Sequence, residues 1–359
     1  MYSPFRHLGS LFWKCKPIQL TFFLTRRCNA RCPFCFYLSR EEDASPRSEE
    51  LTLAEIEKVS FSMGKLLWLA FSGGEIFLRN DLVEITRVFY KNNQPAIILF
   101  PTNALLTGII HERIEAILKA CPQSSIVVKL SLDGPEEVHD AIRGVPGAYR
   151  KVLATYEALG PLLDKYSNFD LGINTVFCSE NQDYVDQTID FVSGLGKIRT
   201  HTVSLIRGDV SDDKLKQVDL EKYHRTINRM EADLKGRKAP VYGFSGARLK
   251  AAQDILQRRM IYQTARQNRQ LLPCFAGKIN LVLSETGELY PCESFNMPLG
   301  NVRDHGYDLL NMLKTDRARD TIRSIAKNRC FCTHECYIMT NILFNPMKAP
   351  QLIKEYLQL

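Results

Sequence analysis

The segment Ile18-Gln-Leu-Thr-Phe-Phe-Leu-Thr25 is an apolar, β-rich run that delivers the chain into Cys28-Asn-Ala-Arg-Cys32-Pro-Phe-Cys35. A strand followed at once by three closely spaced cysteines decides how the rest is read. Thiolates are soft ligands, suited to zinc or to iron–sulfur clusters. A structural zinc site takes four protein ligands, and no fourth cysteine or histidine stands near these three. Three thiolates on a four-iron cluster leave one iron open to chelate a substrate or cofactor. A zinc completed from elsewhere in the chain is the alternative.

Outward from this stretch, residues 18–206 alternate between β-rich runs and amphipathic helical patterns. The strands read as Ile18–Thr25, Leu67–Ser72, Ala96–Thr102, Ile126–Leu132, Leu171–Cys178 and Thr200–Ile206. Helical patterns include Thr52–Lys65, Asp81–Asn92, Ile109–Ala120 and Gln182–Gly194, with Thr52 and Glu55 spaced as a capping box. The strands are nearly continuously apolar, as when both faces are covered. Strand–helix alternation implies parallel βαβ units. Six such units are too few to close a barrel of eight, so an α/β fold with a partial (β/α)6 TIM-like barrel is expected. Chemistry in such sheets collects at the C-terminal strand ends. The cysteines follow the first strand, Gly73-Gly74-Glu75 the second and Thr102-Asn103 the third. Ser131-Leu132-Asp133-Gly134 ends the fourth, and Arg207-Gly208-Asp209 the sixth.

The other bulk features are consistent with this. The chain has 359 residues, 45% of them hydrophobic, and no apolar run long enough to span a bilayer. Arg6, His7, Lys14 and Lys16 interrupt any signal-peptide core, so a cytoplasmic location is expected. Eleven cysteines are many for that compartment, and their clustering points to metal. The net charge of +7 is local: nine basic residues lie between Lys235 and Arg269, against the single acid Asp254. The expected organisation is an N-terminal segment (1–17), the barrel (18–211), a basic helical linker (212–270) and a small cysteine-rich α+β domain (271–359).

The CxxxCxxC spacing with Phe34 before the last cysteine resembles the radical S-adenosylmethionine superfamily. That resemblance implies a 4Fe–4S cluster on Cys28, Cys32 and Cys35, whose open iron binds S-adenosylmethionine. An electron from the cluster then splits the cofactor into methionine and a 5′-deoxyadenosyl radical that abstracts hydrogen from a substrate. It also implies a reductant partner such as flavodoxin or ferredoxin. Gly73, Gly74 and Glu75 match the family's GGE motif: glycines allow close backbone approach, and a carboxylate accepts from an ammonium group. Ser131 and Asp133 resemble the residues facing the ribose and methionine portions. Arg143 matches an arginine that pairs with the cofactor carboxylate, with His139 on the same helical face as a structural residue. Asn103, Ile206 and Gly208 are expected to line the pocket.

The tail resembles the twitch and SPASM extensions of that superfamily. Cys274 is followed by Gly287 and then Cys292, with Leu281-Val-Leu and Glu288-Leu-Tyr as arms of a hairpin that joins the two thiols. Cys330, Cys332 and Cys336 supply further ligands, and a second cluster would need shared or non-cysteine ligands such as His334. The full SPASM pattern has more cysteines, for two clusters, so one auxiliary 4Fe–4S cluster is expected here. Which of Cys330, Cys332 and Cys336 complete it is open, and structural zinc is the alternative. The resemblance implies peptide or protein modification by oxidation or crosslinking. A small anionic or lipid-linked substrate is the alternative, since the basic stretch suits phosphates or carboxylates. The N-terminal Phe5–Lys14 segment mixes aromatics with basic residues and is a candidate for peripheral membrane contact. No specific nucleic-acid partner is expected; the non-enzymatic rival is a zinc-containing nucleic-acid-binding protein.

Overall fold

The computed structural model describes residues 1–38 and 49–359. The six apolar runs form strands β1 (Gln19–Phe23), β2 (Trp68–Ser72), β3 (Ile97–Thr102), β4 (Ser125–Ser131), β5 (Phe169–Phe177) and β6 (Thr200–Leu205). They pair in sequence order, all parallel. Three shorter strands follow: β7 (Asn280–Leu283), β8 (Glu288–Tyr290) and β9 (Gly300–Asn301). The sheet order is β6-β5-β4-β3-β2-β1-β7-β8-β9, with β6 at one open edge. This is the partial barrel that the alternation implies.

One feature was not expected. β7 pairs parallel with β1, from Gln19 opposite Asn280 to Phe22 opposite Leu283, and β8 and β9 then continue antiparallel. The cysteine-rich extension therefore prolongs the barrel's own sheet. The capping box is a second tie. Thr52 caps the helix Leu53–Phe61, and its partner Glu55 also takes Arg303 (2.7 Å) and Tyr307 (3.0 Å) from the extension. The Arg303 contact, ahead of the other causes, lowers the Glu55 pKa to about 2.

The main core lies between the sheet and its covering helices. Phe22, Phe71, Phe89 and Phe100 are fully buried there, and each such side chain stabilises the fold by about 1.5–3 kcal/mol. The segment expected as a linker is built into the body. Helices Leu220–Lys235 and Ala247–Gln267 share a core with Val203 and Leu205 of β6 and with Ile338, Ile342 and Leu352 near the C-terminus. Its basic charge is partly tied internally. Arg259 and Lys235 both pair with Glu231 and Glu355, and Lys250 pairs with Asp254. Three of the nine cations are thus held in ion pairs, and the two helices pack against the β6 edge.

Candidate active site

Because β1–β6 are parallel, their C-terminal ends lie at one end of the sheet, and a cavity of about 200 Å³ sits there. Its wall contains Cys28, Cys32, Phe34 and Cys35 from the loop after β1, and Gly73, Gly74 and Glu75 after β2. Asn103, Ser131, Arg143, Ile206 and Arg207 complete it. Of the residues singled out for the cofactor, only Asp133 and Gly208 are outside the wall. A second cavity, of about 260 Å³, runs along the edge of β6 beside Thr200, His201 and Arg258 and holds none of the cysteines.

The two glycines are needed for the cysteine loop itself. Gly74 N donates to Thr25 O (2.7 Å) and Glu75 N to Arg27 O (2.8 Å), joining the β2 turn to the chain that leads into Cys28. A Cβ at Gly73, where φ is +123°, would stand 2.4 Å from Thr25 O, and one at Gly74 would stand 2.1 Å from Arg27 O. The close neighbour of each added Cβ is backbone, while both glycines also line the cavity. The other end of the loop is fixed by Arg31 N donating to Arg143 O (2.9 Å).

Glu75 is 1% exposed. Its Oε1 accepts from Thr102 Oγ1 (2.9 Å) and Phe77 N (3.2 Å), and Oε2 accepts from Asn103 N (2.8 Å). Burial outweighs these bonds and raises its pKa to about 7. A carboxylate offers roughly four acceptor positions, so one remains for a cationic donor. Asn103 also turns its Nδ2 toward Cys28 Sγ (3.7 Å).

Asp133 differs from its expected role of facing the cofactor. It is fully buried, and Oδ1 accepts from Val176 N (2.9 Å) while Oδ2 takes Arg143 Nε (2.7 Å) and Nη2 (2.5 Å). Both oxygens are thus committed within the protein. Arg143, expected to pair with a cofactor carboxylate, pairs with Asp133 and directs Nη1 at Cys32 Sγ (3.6 Å). Burial opposes its charge, but Asp133 and Cys32 prevail and the pKa rises. His139 is structural, as expected: its Nδ1 accepts from Asp133 N (3.1 Å), and burial lowers its pKa to about 4. Gly208 (φ +75°) crosses Phe36, whose Cβ would lie 2.7 Å from an added Cβ.

Arg207 was not assigned a role from the sequence. It donates to Glu335 Oε2 (2.6 Å) and Glu293 Oε2 (3.1 Å), residues of the extension, and its guanidinium lies 5.3 Å from the Phe36 ring centre. Its partners are 128 and 86 positions away, so no local pattern announces them. Despite burial, His334 and Arg207 hold the Glu293 pKa down at about 2.

The hairpin forms as expected, with β7 and β8 antiparallel and Gly287 at φ +91°. All five C-terminal cysteines, together with Cys35, pack around Phe23, Tyr37, Phe295 and Tyr337. After burial, Cys292 and Cys330 are what raise the Cys274 thiol, to about 11, and Cys274, Cys292 and Cys330 raise Cys332. Cys336, raised chiefly by burial, feels Glu293, Arg207, Glu335 and Lys250. Among the described residues no three His, Cys, Asp or Glu side chains are close enough to hold one metal ion. No helix among them is long and apolar enough to cross a membrane.

Three thiols, a buried carboxylate and a buried arginine line one cavity at the C-terminal ends of the parallel strands, and the comparisons give this site its class. Residues 22–192 match the Radical SAM superfamily and residues 274–337 match SPASM, an iron–sulfur cluster-binding domain. The chain belongs to the radical S-adenosylmethionine superfamily, and its extension is of the SPASM type. An AdoMet-dependent heme synthase of Methanosarcina barkeri is 30% identical over 304 residues, covering 81% of each chain. The subtilosin biosynthesis protein AlbA of Bacillus subtilis is 33% identical over 144 residues, 40% of this chain and 30% of that one. Among solved structures, anSMEcpe with bound AdoMet and a Kp18Cys peptide superposes with a TM-score of 0.62 at 19% identity, covering 96% of this chain and 100% of that one. The chain is thus a S-adenosylmethionine-dependent enzyme that works with 4Fe–4S clusters.

Proposed function

We propose that Cys28, Cys32 and Cys35 hold the cluster at which S-adenosylmethionine is cleaved, and that the radical acts on a small anionic substrate. The observation that carries the site is the single cavity shared by the three thiols with Glu75, Asn103, Ser131 and Arg143. The donor set fits: soft thiolates suit iron–sulfur clusters, and, although burial raises the Cys32 thiol, the Arg143 cation beside it works in favour of the thiolate form. When bound, the cluster supplies the electron that splits the cofactor. Glu75 accepts from the cofactor's ammonium group, which restores the charge that burial otherwise suppresses. Asn103 and Ser131 orient the bound molecule, and Phe34 and Ile206 close the apolar side of the cavity. Asp133 holds Arg143 in place, and Gly73, Gly74 and Gly208 let the surrounding backbone close up.

In the extension, Cys274, Cys292, Cys330 and Cys332 are proposed as a complete four-thiol set for one auxiliary cluster, with Cys336 beside the Arg207 network. For the substrate, the heme synthase relative aligns across both the barrel and the extension. A heme precursor of the iron-porphyrin type is therefore the first candidate, and a peptide, as for AlbA, the second. Reduced, cluster-loaded protein is incubated anaerobically with S-adenosylmethionine, and 5′-deoxyadenosine is measured. Formation is expected, and its absence overturns the site. Stimulation by iron porphyrins, with heme among the products, supports the substrate reading; stimulation only by short peptides encoded beside the gene reverses it.

A further inference from the structure

The end of the barrel opposite the cysteine cavity carries an exposed apolar surface that is rigidly mounted. Tyr2 N donates to Gln123 O (2.5 Å), and Arg6 Nη2 donates to Leu66 O (2.9 Å) and also reaches Gln94 O. These carbonyls precede β4, β2 and β3, so the N-terminal segment is clamped where those strands begin. Its 3-10 helix Pro4–Leu11 and the residues after it nevertheless leave Phe5, Leu8, Phe12 and Trp13 at 44%, 61%, 68% and 71% exposure. The C-terminal helix Ala349–Leu357 adds Ile353 and Leu357, 59% and 71% exposed. The two elements meet around the start of the helix Ala247–Gln267: its cap Gly246 abuts Phe5, and Arg248 stacks on Tyr356 at 4.6 Å.

The N-terminal part of this patch carries charge of one sign. The first 40 residues contain no Asp or Glu. Among the described residues, the charged groups bearing most on Lys14 and His7 are other cations, Lys278 for the first and Arg6 and Lys65 for the second. Exposed Trp and Phe beside cations without carboxylate partners are the pattern of an interfacial segment drawn to anionic lipid. A second copy of the chain, docked isologously, would set these cations against themselves.

We propose that this end of the barrel docks on an anionic lipid surface, with Phe12 and Trp13 entering the interface and Lys14 and Lys16 meeting the headgroups. The cysteine cavity then opens away from the bilayer, toward substrates in water. The chain has two tryptophans, and Trp68 is 7% exposed against 71% for Trp13, so emission changes report Trp13. Full-length, cluster-loaded protein is mixed with phosphatidylcholine vesicles, with or without phosphatidylglycerol. A blue shift and co-sedimentation are expected with the anionic vesicles alone. Lys14→Glu/Lys16→Glu should weaken binding by about tenfold or more. Phe12→Glu should release the protein from vesicles while 5′-deoxyadenosine formation persists. The proposal is overturned if neither vesicle shifts the emission, if both bind equally, or if the shift appears without lipid on dimerisation.

Discussion

Cys28, Cys32 and Cys35 lie on one loop, within eight residues, whereas Cys274, Cys292 and the Cys330–Cys336 run reach one neighbourhood from three separate segments. The first group opens onto a polar cavity shared with Glu75, Asn103 and Arg143. The second is packed among Phe23, Tyr37, Phe295 and Tyr337. In the first, an arginine and an asparagine approach the sulfurs; in the second, burial is the largest influence on all four thiols, and Cys274 and Cys332 also feel neighbouring thiols. A short loop with fewer thiols leaves room for a reacting molecule. A set assembled from distant segments, with the full complement of thiols proposed above, would hold its cluster closed and cross-link the fold. Arg207 spans the two, reaching from the cavity wall to Glu293 and Glu335, neighbours in sequence of Cys292 and Cys336.

The sharpest way to break this contrast is to remove one ligand from each group. Cys32→Ala should reduce 5′-deoxyadenosine formation below detection while the auxiliary cluster's iron remains. In the extension, Cys330→Ala should lower the iron content to that of one cluster, whereas Cys336→Ala should keep both; iron and sulfide analysis distinguishes them. If Cys336→Ala loses the cluster, the four-thiol grouping is wrong. A smaller effect tests the cavity's support. Asp133→Asn strips the buried Arg143 of its counter-charge and should destabilise the protein by about 3 kcal/mol in denaturant unfolding, with KM for S-adenosylmethionine rising more than kcat falls.

A further effect is one of pH. Glu75 has a folded pKa of about 7, raised by burial from its ordinary 4.5. Its contribution to stability is complete below pH 4.5 and is lost as pH rises through 7, because the fold disfavours the ionised form. The cofactor-free protein should therefore lose up to about 1.4 kcal/mol per pH unit across that window relative to Glu75→Gln. Bound S-adenosylmethionine, by supplying an ammonium partner, should flatten the slope. Thermal unfolding of both proteins from pH 5 to 8, with and without the cofactor, measures it.

Much of this was legible in the sequence, for local reasons. Apolar runs such as Trp68–Ser72 and Ile97–Thr102 announce strands covered on both faces, and the motifs fall at strand ends because parallel strands share one functional edge. What stayed hidden depends on partners distant in the chain. β7 joins β1 across about 260 positions of sequence, through a run too short to separate from a plain hairpin arm. Asp133 reads as a cofactor contact until Arg143 and Val176 occupy its oxygens. Gly73 and Gly74 read as ligand-clearing glycines and do line the cavity, but nothing local in the sequence shows that Thr25 and Arg27 also press against them. Arg207 has no local signature at all.

The central claim is that the loop cysteines, unlike the auxiliary set, leave an iron open to the cofactor. Electron paramagnetic resonance of the reduced protein, recorded before and after S-adenosylmethionine is added, tests it most directly. The wild-type spectrum should change on addition, and Cys28→Ala protein should retain only an auxiliary signal that the cofactor does not alter. A wild-type spectrum indifferent to S-adenosylmethionine, or zinc in place of iron at the loop, would contradict it.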